Sequence, residues 1–177
     1  PHWGVLEDGT VEELALEPFD GEQRTGTQTR LEEVRLLAPT TPSKILAVGR
    51  NFRSHLHGHE APSEPGLFAK MPSSLIGPGD PIVIPPDAED LHFEGELVIV
   101  IGKLTRNVTT EEASEHVFGV TGGGGFSLPN FRGKGQHLAL SFEVGAANYN
   151  NSYFGSSYRP QKRERACLLY TSPSPRD

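Results

Sequence analysis

Two glutamates occupy alternate positions in an otherwise apolar stretch of the sequence. The stretch LHFEGELVIVIG covers residues 91–102 and places Glu94 and Glu96 two residues apart. In a β-strand, residues two apart share a face, so both carboxylates point the same way, together with His92. Neighbouring carboxylates repel unless a cation lies between them, and hard oxygen ligands suit Mg²⁺, Mn²⁺ or Ca²⁺. The pattern alone fits an acidic pair on a solvated face better than a metal site.

Short segments of the sequence predict the elements around this pair. Residues 97–101 are apolar throughout, so we expect the strand to enter a core that covers both of its faces. Residues 45–48 form another short apolar run and predict a buried strand. Thr109 and Glu112 have the spacing of a capping box, which predicts a helix that ends at Gly119.

A second group of candidate ligands lies in the segment NFRSHLHGHEAPSEPG. His55, His57 and His59 alternate there, and Glu60 follows. In a strand the three histidines would share a face and would suggest zinc, whereas in a helical turn they would not. The prolines and glycines of the segment favour a third interpretation, a solvated polar loop.

The glycine run TGGGGFS at residues 121–127 marks a change in character. It lacks the Gly-Lys-Ser/Thr ending of a phosphate-binding loop and the spacing of a dinucleotide fingerprint, so we interpret it as a flexible joint. Residues 124–177 contain seven basic and three acidic residues, and residues 1–123 contain 9 and 20. Strand alternation also fades. We therefore predict a boundary near Gly123 and a poorly structured, atypical tail over residues 124–177.

Composition excludes several classes of protein. The chain has 177 residues, one cysteine and a formal charge of −7. The single cysteine excludes an intramolecular disulfide framework and suits a reducing compartment. The negative charge argues against nucleic acid and anionic lipid as partners. No apolar run approaches the roughly 20 residues of a membrane span, so we expect a cytoplasmic protein.

Three blocks of the sequence resemble the fumarylacetoacetate hydrolase family. LLAPTTPSKILAVGRNFRSH is similar to the entry into its catalytic domain, and LFAKMPSSLIGPGDPIVIPP to the next block. FEGELVIVIGKLTRNVTTEEASEHVFGVTGG is similar to its metal-binding strand and the segment after it. The resemblance implies a β-rich α+β fold. It consists of an incomplete mixed β-sandwich roll at residues 41–123, preceded by a small N-terminal β subdomain at residues 1–40.

The resemblance also implies roles for individual residues. Glu94 and Glu96 correspond to ligands of a divalent cation, usually Mg²⁺ or Mn²⁺. His55, which follows an asparagine-aromatic pair, corresponds to a general base, a role that suits a side chain of pKa about 6.5. The family often pairs this histidine with a glutamate one helical turn later, and here the nearest glutamate is Glu60. The remaining implied residues are substrate-binding: Arg50, Asn51 and Lys70.

The sequence departs from the family pattern after residue 123. The family usually has Asn-Asp there, and the aspartate is its third carboxylate ligand, whereas this chain has Gly124 and Gly125. The tail CLLYTSPSPRD has no family counterpart. We therefore expect a family member that is truncated or frame-shifted near Gly123.

The resemblance implies a metal-dependent hydrolase or lyase. The enzyme would act on a small 2-oxo or β-dicarbonyl acid through a metal-stabilised enolate. The reaction would be cleavage of a C–C bond, hydration, isomerisation or decarboxylation. The family is commonly homodimeric. Two alternatives remain: a catalytically inactive truncated member that binds divalent metal weakly, and an unrelated metal-binding β-barrel that uses His92, Glu94 and Glu96.

Overall fold

The computed structural model describes residues 1–84, 86, 88, 91–131, 136–143 and 166–171. Within these ranges the chain forms strands in three sheets, with helical structure limited to 3-10 turns. The strands are β1 (His2–Glu7), β2 (Thr10–Leu14), β3 (Arg24–Arg30), β4 (Arg35–Leu36), β5 (Ile45–Gly49), β6 (Gly66–Lys70), β7 (Leu75–Ile76), β8 (His92–Ile101), β9 (Val117–Phe131), β10 (Gln136–Glu143) and β11 (Ala166–Thr171). The 3-10 turns are Pro18–Asp20, Leu31–Glu33, Arg53–Leu56, Pro72–Ser74 and Ala113–His116. The β-rich prediction is therefore confirmed.

The N-terminal sheet has the strand order β3-β2-β1-β11-β4. Its first hairpin follows from the sequence, because Asp8 and Gly9 both have positive φ and join Glu7 to its partner Thr10 in a two-residue loop. Val5 and Val11 are almost completely buried and, since they differ in register parity, lie on opposite faces. Both faces of this small sheet are thus covered.

The second sheet has the order β7-β10-β9-β8 and carries the candidate site. Strand β9 pairs antiparallel with β8 from His92↔Ser127 to Ile101↔Val117. The glycine run lies inside β9, so its interpretation as a flexible joint is wrong: the backbone amides of the glycines are held in register by β8.

The predicted boundary at Gly123 falls inside strand β9, which continues to Phe131. Two further strands of the 124–177 segment are described: β10 pairs with β9, and β11 pairs with β1 and β4. The predicted poor packing of the rest of this tail concerns residues outside the described ranges.

The predicted helix after Thr109 is wrong. The capping-box contacts do form: the Thr109 amide donates to Glu112 Oε2 at 3.2 Å, and the Glu112 amide donates to Thr109 Oγ1 at 3.3 Å. They close only the 3-10 turn Ala113–His116, and β9 begins at Val117. Gly119, the expected helix stop, is a buried strand residue, because pairing with β8 overrides the local signal.

Phe118 joins the second sheet to the N-terminal sheet. It packs against the buried cluster of Val5 and Leu14, and its ring centroid lies 4.7 Å from that of Phe19. A Cβ atom at Gly102 would lie 2.8 Å from Phe118 Cβ, so a larger residue at that position would displace this contact.

The turn Gly77–Asp80 makes a second connection. Arg35 of β4 donates to Asp80 Oδ1 at 2.5 Å, and the Gly77 amide donates to Asp80 Oδ2 at 3.0 Å. Gly77 is buried against the backbone of Leu37, where a Cβ atom would lie 2.8 Å from Leu37 Cα. Position 77, directly after β7, must therefore be glycine.

One face of β8 and one face of the β5–β6 hairpin are apolar and exposed. Phe93 is 80% and Leu97 75% exposed, whereas Val100, on the other face of β8, is 7% exposed. The prediction that both faces of residues 97–101 are buried is therefore wrong for one face. The predicted strand at residues 45–48 forms, but the prediction that it is buried is wrong, because Leu46 and Val48 are exposed. The other exposed apolar side chains on these faces are Ile99, Ile101, Leu46, Val48 and Leu67, and Phe68 of β6 is exposed on the opposite face of the hairpin.

No helical segment in the described ranges has the length and apolar character needed to cross a membrane.

Arg24 gathers three carboxylates at the edge of the N-terminal sheet. Its guanidinium donates to Glu7 Oε2 and Glu12 Oε2 at 3.0 Å each and to Glu22 Oε2 at 3.1 Å. The hydrogen bond to Glu7 is the main cause that raises the pKa of Arg24. The arginine thus keeps three like charges together on β1, β2 and the loop before β3.

We predict that Arg24→Met lowers the free energy of unfolding by about 1–2 kcal/mol, since three carboxylates lose their shared donor. Urea unfolding followed by the fluorescence of Trp3, which packs on the Val5–Leu14 cluster, measures this change. The control is Arg30→Met, because Arg30 is 69% exposed and its pairs with Glu32 and Glu33 are solvent-screened. Equal losses in the two variants would contradict the prediction.

The turn at Asp80 has a predicted pH dependence. The Arg35 guanidinium first, and the Gly77 amide second, hold the pKa of Asp80 below its ordinary value. A carboxyl group with a lowered folded-state pKa stabilises the fold above its ordinary pKa, and this stabilisation is lost as the pH falls through the lowered value. The Gly77 amide resonance, followed by NMR during acidification, should shift with a midpoint below 3.8, the ordinary value. Asp80→Asn should abolish that shift, and a midpoint at or above the ordinary value would refute this account.

Candidate active site

Strand β8 holds the two glutamates opposite glycines. Glu94 pairs with Gly125 and Glu96 pairs with Gly123 in the antiparallel register, so all four positions share one face. Glu94 is exposed and Glu96 is half-buried. Because the partner residues on β9 are glycines, no neighbouring side chain on that strand covers the carboxylates.

Lys70 reaches this face from another sheet. It is the last residue of β6, and its side chain is buried, with 7% exposure. A Cβ atom built on Gly125 would lie 3.1 Å from Lys70 Nζ and 3.4 Å from Glu94 Oε2. The ammonium and the carboxylate therefore border the same point above Gly125.

The Lys70 ammonium makes no hydrogen bond or ion pair with the residues that the structure describes. A buried charge without such compensation is unfavourable for stability. Buried groups of this kind are concentrated at functional sites, and this is the strongest physical signal in the candidate site.

His55 and its neighbours lie in the connection between β5 and β6. His55 belongs to the 3-10 turn Arg53–Leu56, its amide donates to the Phe52 carbonyl at 2.9 Å, and the two rings pack edge to face. Gly49 and Gly66 form the pair at which this connection begins and ends, whereas Lys70 pairs with Ile45 at the opposite end of the hairpin.

The predicted site residues thus fall into two groups. The structure brings Lys70 to Glu94, but no hydrogen bond or ion pair joins the glutamates to the second group within the described residues. That group consists of Arg50, Asn51, His55 and Glu60, all exposed in the connection. Their convergence on the glutamates stays a prediction.

The donor set offers a divalent cation two carboxylates. No cluster of three or more His, Cys, Asp or Glu side chains suitable for a metal occurs in the described part of the chain. Oxygen ligands on one strand face, opposite glycines that leave room, fit Mg²⁺ or Mn²⁺ in chemical type. The small number of anionic ligands and the nearby ammonium both predict weak affinity.

The sequence marked Gly125 only as the position of a missing third carboxylate ligand, and its closeness to Lys70 was not foreseen. The sequence shows glycine at this position, but only the fold shows that the glycine is buried and lets the Lys70 head group approach Glu94. Alternation along β9 from Gly123 to Gly125 is the one sequence signal that could have placed both residues beside the glutamates.

Comparison with known proteins agrees with this arrangement of strands. The family model "Fumarylacetoacetate (FAA) hydrolase C-terminal" matches residues 44–132, half of the chain, and the model "Rv2993c-like, N-terminal" matches residues 1–39. The chain belongs to the fumarylacetoacetate hydrolase family. The resemblance seen in the three sequence blocks is thereby confirmed.

Relatives within the family include enzymes. Protein Rv2993c of Mycobacterium tuberculosis is 40% identical over 120 residues, which are 67% of this chain and 45% of that protein. A mitochondrial oxaloacetate tautomerase, fahd2 of Xenopus laevis, is 43% identical over 91 residues, 50% of this chain and 28% of the relative. The chain thus spans less than half the length of either relative.

Solved structures show the same fold. The 5-carboxymethyl-2-hydroxymuconate delta-isomerase of Mycobacterium smegmatis has a TM-score of 0.69 and 34% identity, and the match covers 81% of this chain and 65% of the isomerase. The maleylpyruvate hydrolase of Sphingobium sp. SYK-6, solved with manganese(II) and pyruvate, has a TM-score of 0.60 at 24% identity, over 81% of this chain and 62% of the hydrolase. The latter likeness concerns the fold alone.

Replacing Lys70 tests whether its burial is unfavourable for folding. We predict that Lys70→Met raises the free energy of unfolding by about 1 kcal/mol, since an apolar side chain of similar length replaces a buried charge that has no ion pair among the described residues. Urea titration measures the change, and Lys44→Met, at an exposed position one residue before β5, is the matched control. A clear loss of stability in Lys70→Met alone would show that the ammonium is compensated in the fold.

Proposed function

We propose that the protein is a metal-dependent enzyme of the fumarylacetoacetate hydrolase family that acts on a small 2-oxo or β-dicarbonyl acid. The reaction is cleavage of a C–C bond next to the carbonyl, or hydration, isomerisation or decarboxylation, and all of these pass through an enolate. The observation that carries the proposal is the convergence of Glu94 and the buried Lys70 above Gly125, on the strand that also holds Glu96.

Each residue has a role in this proposal. Glu94 and Glu96 would hold Mg²⁺ or Mn²⁺, with Ca²⁺ as a further oxygen-binding cation. The bound cation supplies Lewis-acid stabilisation of negative charge at the 2-oxo oxygen. Lys70 donates a hydrogen bond to a substrate oxygen, and its burial makes that bond stronger than it would be in water.

The connection between β5 and β6 would supply the proton transfer. His55 acts as the general base, Glu60 orients it, and Arg50 and Asn51 hold a substrate carboxylate. These roles require the connection to fold toward β8, because its residues are exposed and lie at the end of the hairpin away from Lys70.

The relatives support the substrate class. Oxaloacetate, which the Xenopus laevis relative is named for, is a 2-oxo dicarboxylate whose tautomerisation forms an enol. The Mycobacterium smegmatis relative is a delta-isomerase of an unsaturated hydroxy acid. Manganese(II) and pyruvate in the maleylpyruvate hydrolase show that the same fold accommodates a divalent cation with a 2-oxo acid in that protein.

The alternative function is a catalytically inactive family member that binds divalent metal weakly. Gly125 favours this alternative, because it adds no carboxylate opposite Glu94.

We further propose that the protein is cytoplasmic, forms homodimers and has no nucleic-acid partner. The negative formal charge of −7 supports the last point.

We predict that the chain binds Mn²⁺ with a dissociation constant of about 1 mM, in the range of weak oxygen-ligand sites. The inactive alternative predicts little or no acylpyruvate hydrolase or oxaloacetate decarboxylase activity with this weak binding, whereas the proposed enzyme predicts Glu94-dependent turnover of at least one of these substrates. Calorimetric titration and spectrophotometric assays of both substrates measure these quantities. Glu96→Gln should remove the binding, whereas Glu111→Gln, at an exposed position outside β8, should leave it unchanged.

Tight Mn²⁺ binding with robust, Glu94-dependent turnover would establish a complete enzyme and reject the inactive alternative. Mn²⁺ binding that persists in both Glu94→Gln and Glu96→Gln would instead reject the assignment of these residues as metal ligands.

A further inference from the structure

A cavity lies between the linker that precedes β5 and the start of β7, and we call it the linker cavity. Its volume is about 360 Å³, within the range of roughly 300–1,000 Å³ that small-molecule sites occupy. Its apolar walls are formed by Leu37, Ala38 and Pro42 of the linker and by Pro72 and Leu75 across from them. Among the described residues, no charged side chain lines it.

The two walls of the linker cavity are held in place by contacts outside it. A Cβ atom at Gly77 would lie 2.8 Å from Leu37 Cα and 3.0 Å from the Ala38 nitrogen, so the linker is packed tightly against this glycine. On the other side, the Ser74 hydroxyl donates to the Met71 carbonyl at 2.7 Å and the Ser74 amide donates to it at 2.9 Å. Because both walls are formed in advance, a ligand pays little to order them.

Two threonines add polar groups to this apolar lining. Thr40 is 9% exposed, and its hydroxyl makes no hydrogen bond with a residue that the structure describes. Thr41 also lines the linker cavity but is exposed, so water can satisfy its hydroxyl. A buried hydroxyl without a partner is unfavourable for stability, and a molecule in the cavity would supply the partner for Thr40.

We propose that the linker cavity binds a small neutral hydroxy compound, a phenol or a short alcohol, whose hydroxyl bonds to Thr40 and whose apolar body packs between Leu37, Pro72 and Leu75. The walls favour an apolar body, and the absence of charge in the lining disfavours an ion. A threonine hydroxyl both donates and accepts, so another hydroxyl matches it in either direction. This ligand differs in class from the anionic acid proposed for the glutamates, so the inference is independent of that function.

The first experiment titrates the isotope-labelled full chain with phenol and with toluene, followed by two-dimensional NMR. The two compounds have nearly the same size and shape, and only phenol carries a hydroxyl group. We expect both to shift the amide resonances of Leu37, Thr40 and Leu75. The dissociation constant for phenol should be about 1–10 mM, as suits a ligand of this size.

Thr40→Val tests the hydrogen bond itself, because valine keeps nearly the size and shape of threonine. The measured quantity is the dissociation constant for toluene divided by that for phenol, a ratio from which the apolar contacts largely cancel. We expect Thr40→Val to lower this ratio by about five- to tenfold, the effect of one lost hydrogen bond. Thr41→Val is the matched control and should leave the ratio nearly unchanged, because its hydroxyl is exposed.

Ala38→Leu provides a second test that does not remove the hydroxyl. The larger side chain takes up part of the linker cavity, so the affinities for phenol and toluene should both fall. This variant keeps the proposal testable if Thr40→Val fails to fold.

Three results would overturn the proposal. Absence of specific shifts with either compound would show that the linker cavity is not a binding site. An equal ratio in Thr40→Val and in the unchanged protein would show that an apolar cavity binds without the hydroxyl. Shifts centred on Glu94 and Glu96 would place phenol at the candidate active site instead.

Discussion

The antiparallel register between β8 and β9 is the constraint on which the candidate site depends. It places Glu94 opposite Gly125 and Glu96 opposite Gly123, and it directs both carboxylates to the face that Lys70 reaches. A slip of one residue would turn each glutamate to the other face, among exposed apolar side chains. The glycines of β9 pair with β8 through the backbone alone. Because they have no side chains, the space above the two carboxylates stays open to a ligand.

Two connections hold the second sheet against the N-terminal sheet. Phe118 at the start of β9 packs on the Val5–Leu14 cluster, and Arg35 of β4 binds Asp80 in the turn after β7. The first connection is apolar, and the second is ionic and joins residues 45 positions apart in the sequence. They fix the two ends of the second sheet, and the glycines at positions 77 and 102 let the backbones approach closely enough for both.

The exposed apolar side chains of β8 and of the β5–β6 hairpin give the molecule an unusual surface. Phe93, Leu97 and Leu67 are all more than 60% exposed on strands whose opposite faces are better covered. Exposed apolar faces of this kind are uncommon in soluble monomers. The match to the Mycobacterium smegmatis isomerase covers 65% of that chain.

Alternation and local turn chemistry in the sequence determined much of the strand content. The Asp8–Gly9 hairpin, the strand at residues 45–48 and the shared face of the two glutamates follow from spacing and residue type, because φ/ψ preferences and the two-residue period act locally. The three family blocks identified the family. The flexible joint predicted from the glycine run and the helix predicted from the capping box were both wrong for the same reason. In each case, pairing of β9 with β8 overrides the local preference of the sequence.

Only the tertiary structure determined that the Lys70 ammonium lies near the Glu94 carboxylate. Lys70 and Gly125 lie 55 positions apart in the sequence and belong to different sheets, so no spacing rule relates them to Glu94. The burial of one lysine and the exposure of one face of β8 both depend on how the hairpin lies on the second sheet. Long-range packing sets these features, since the hydrophobic and electrostatic terms that determine them act between segments that only the fold brings together.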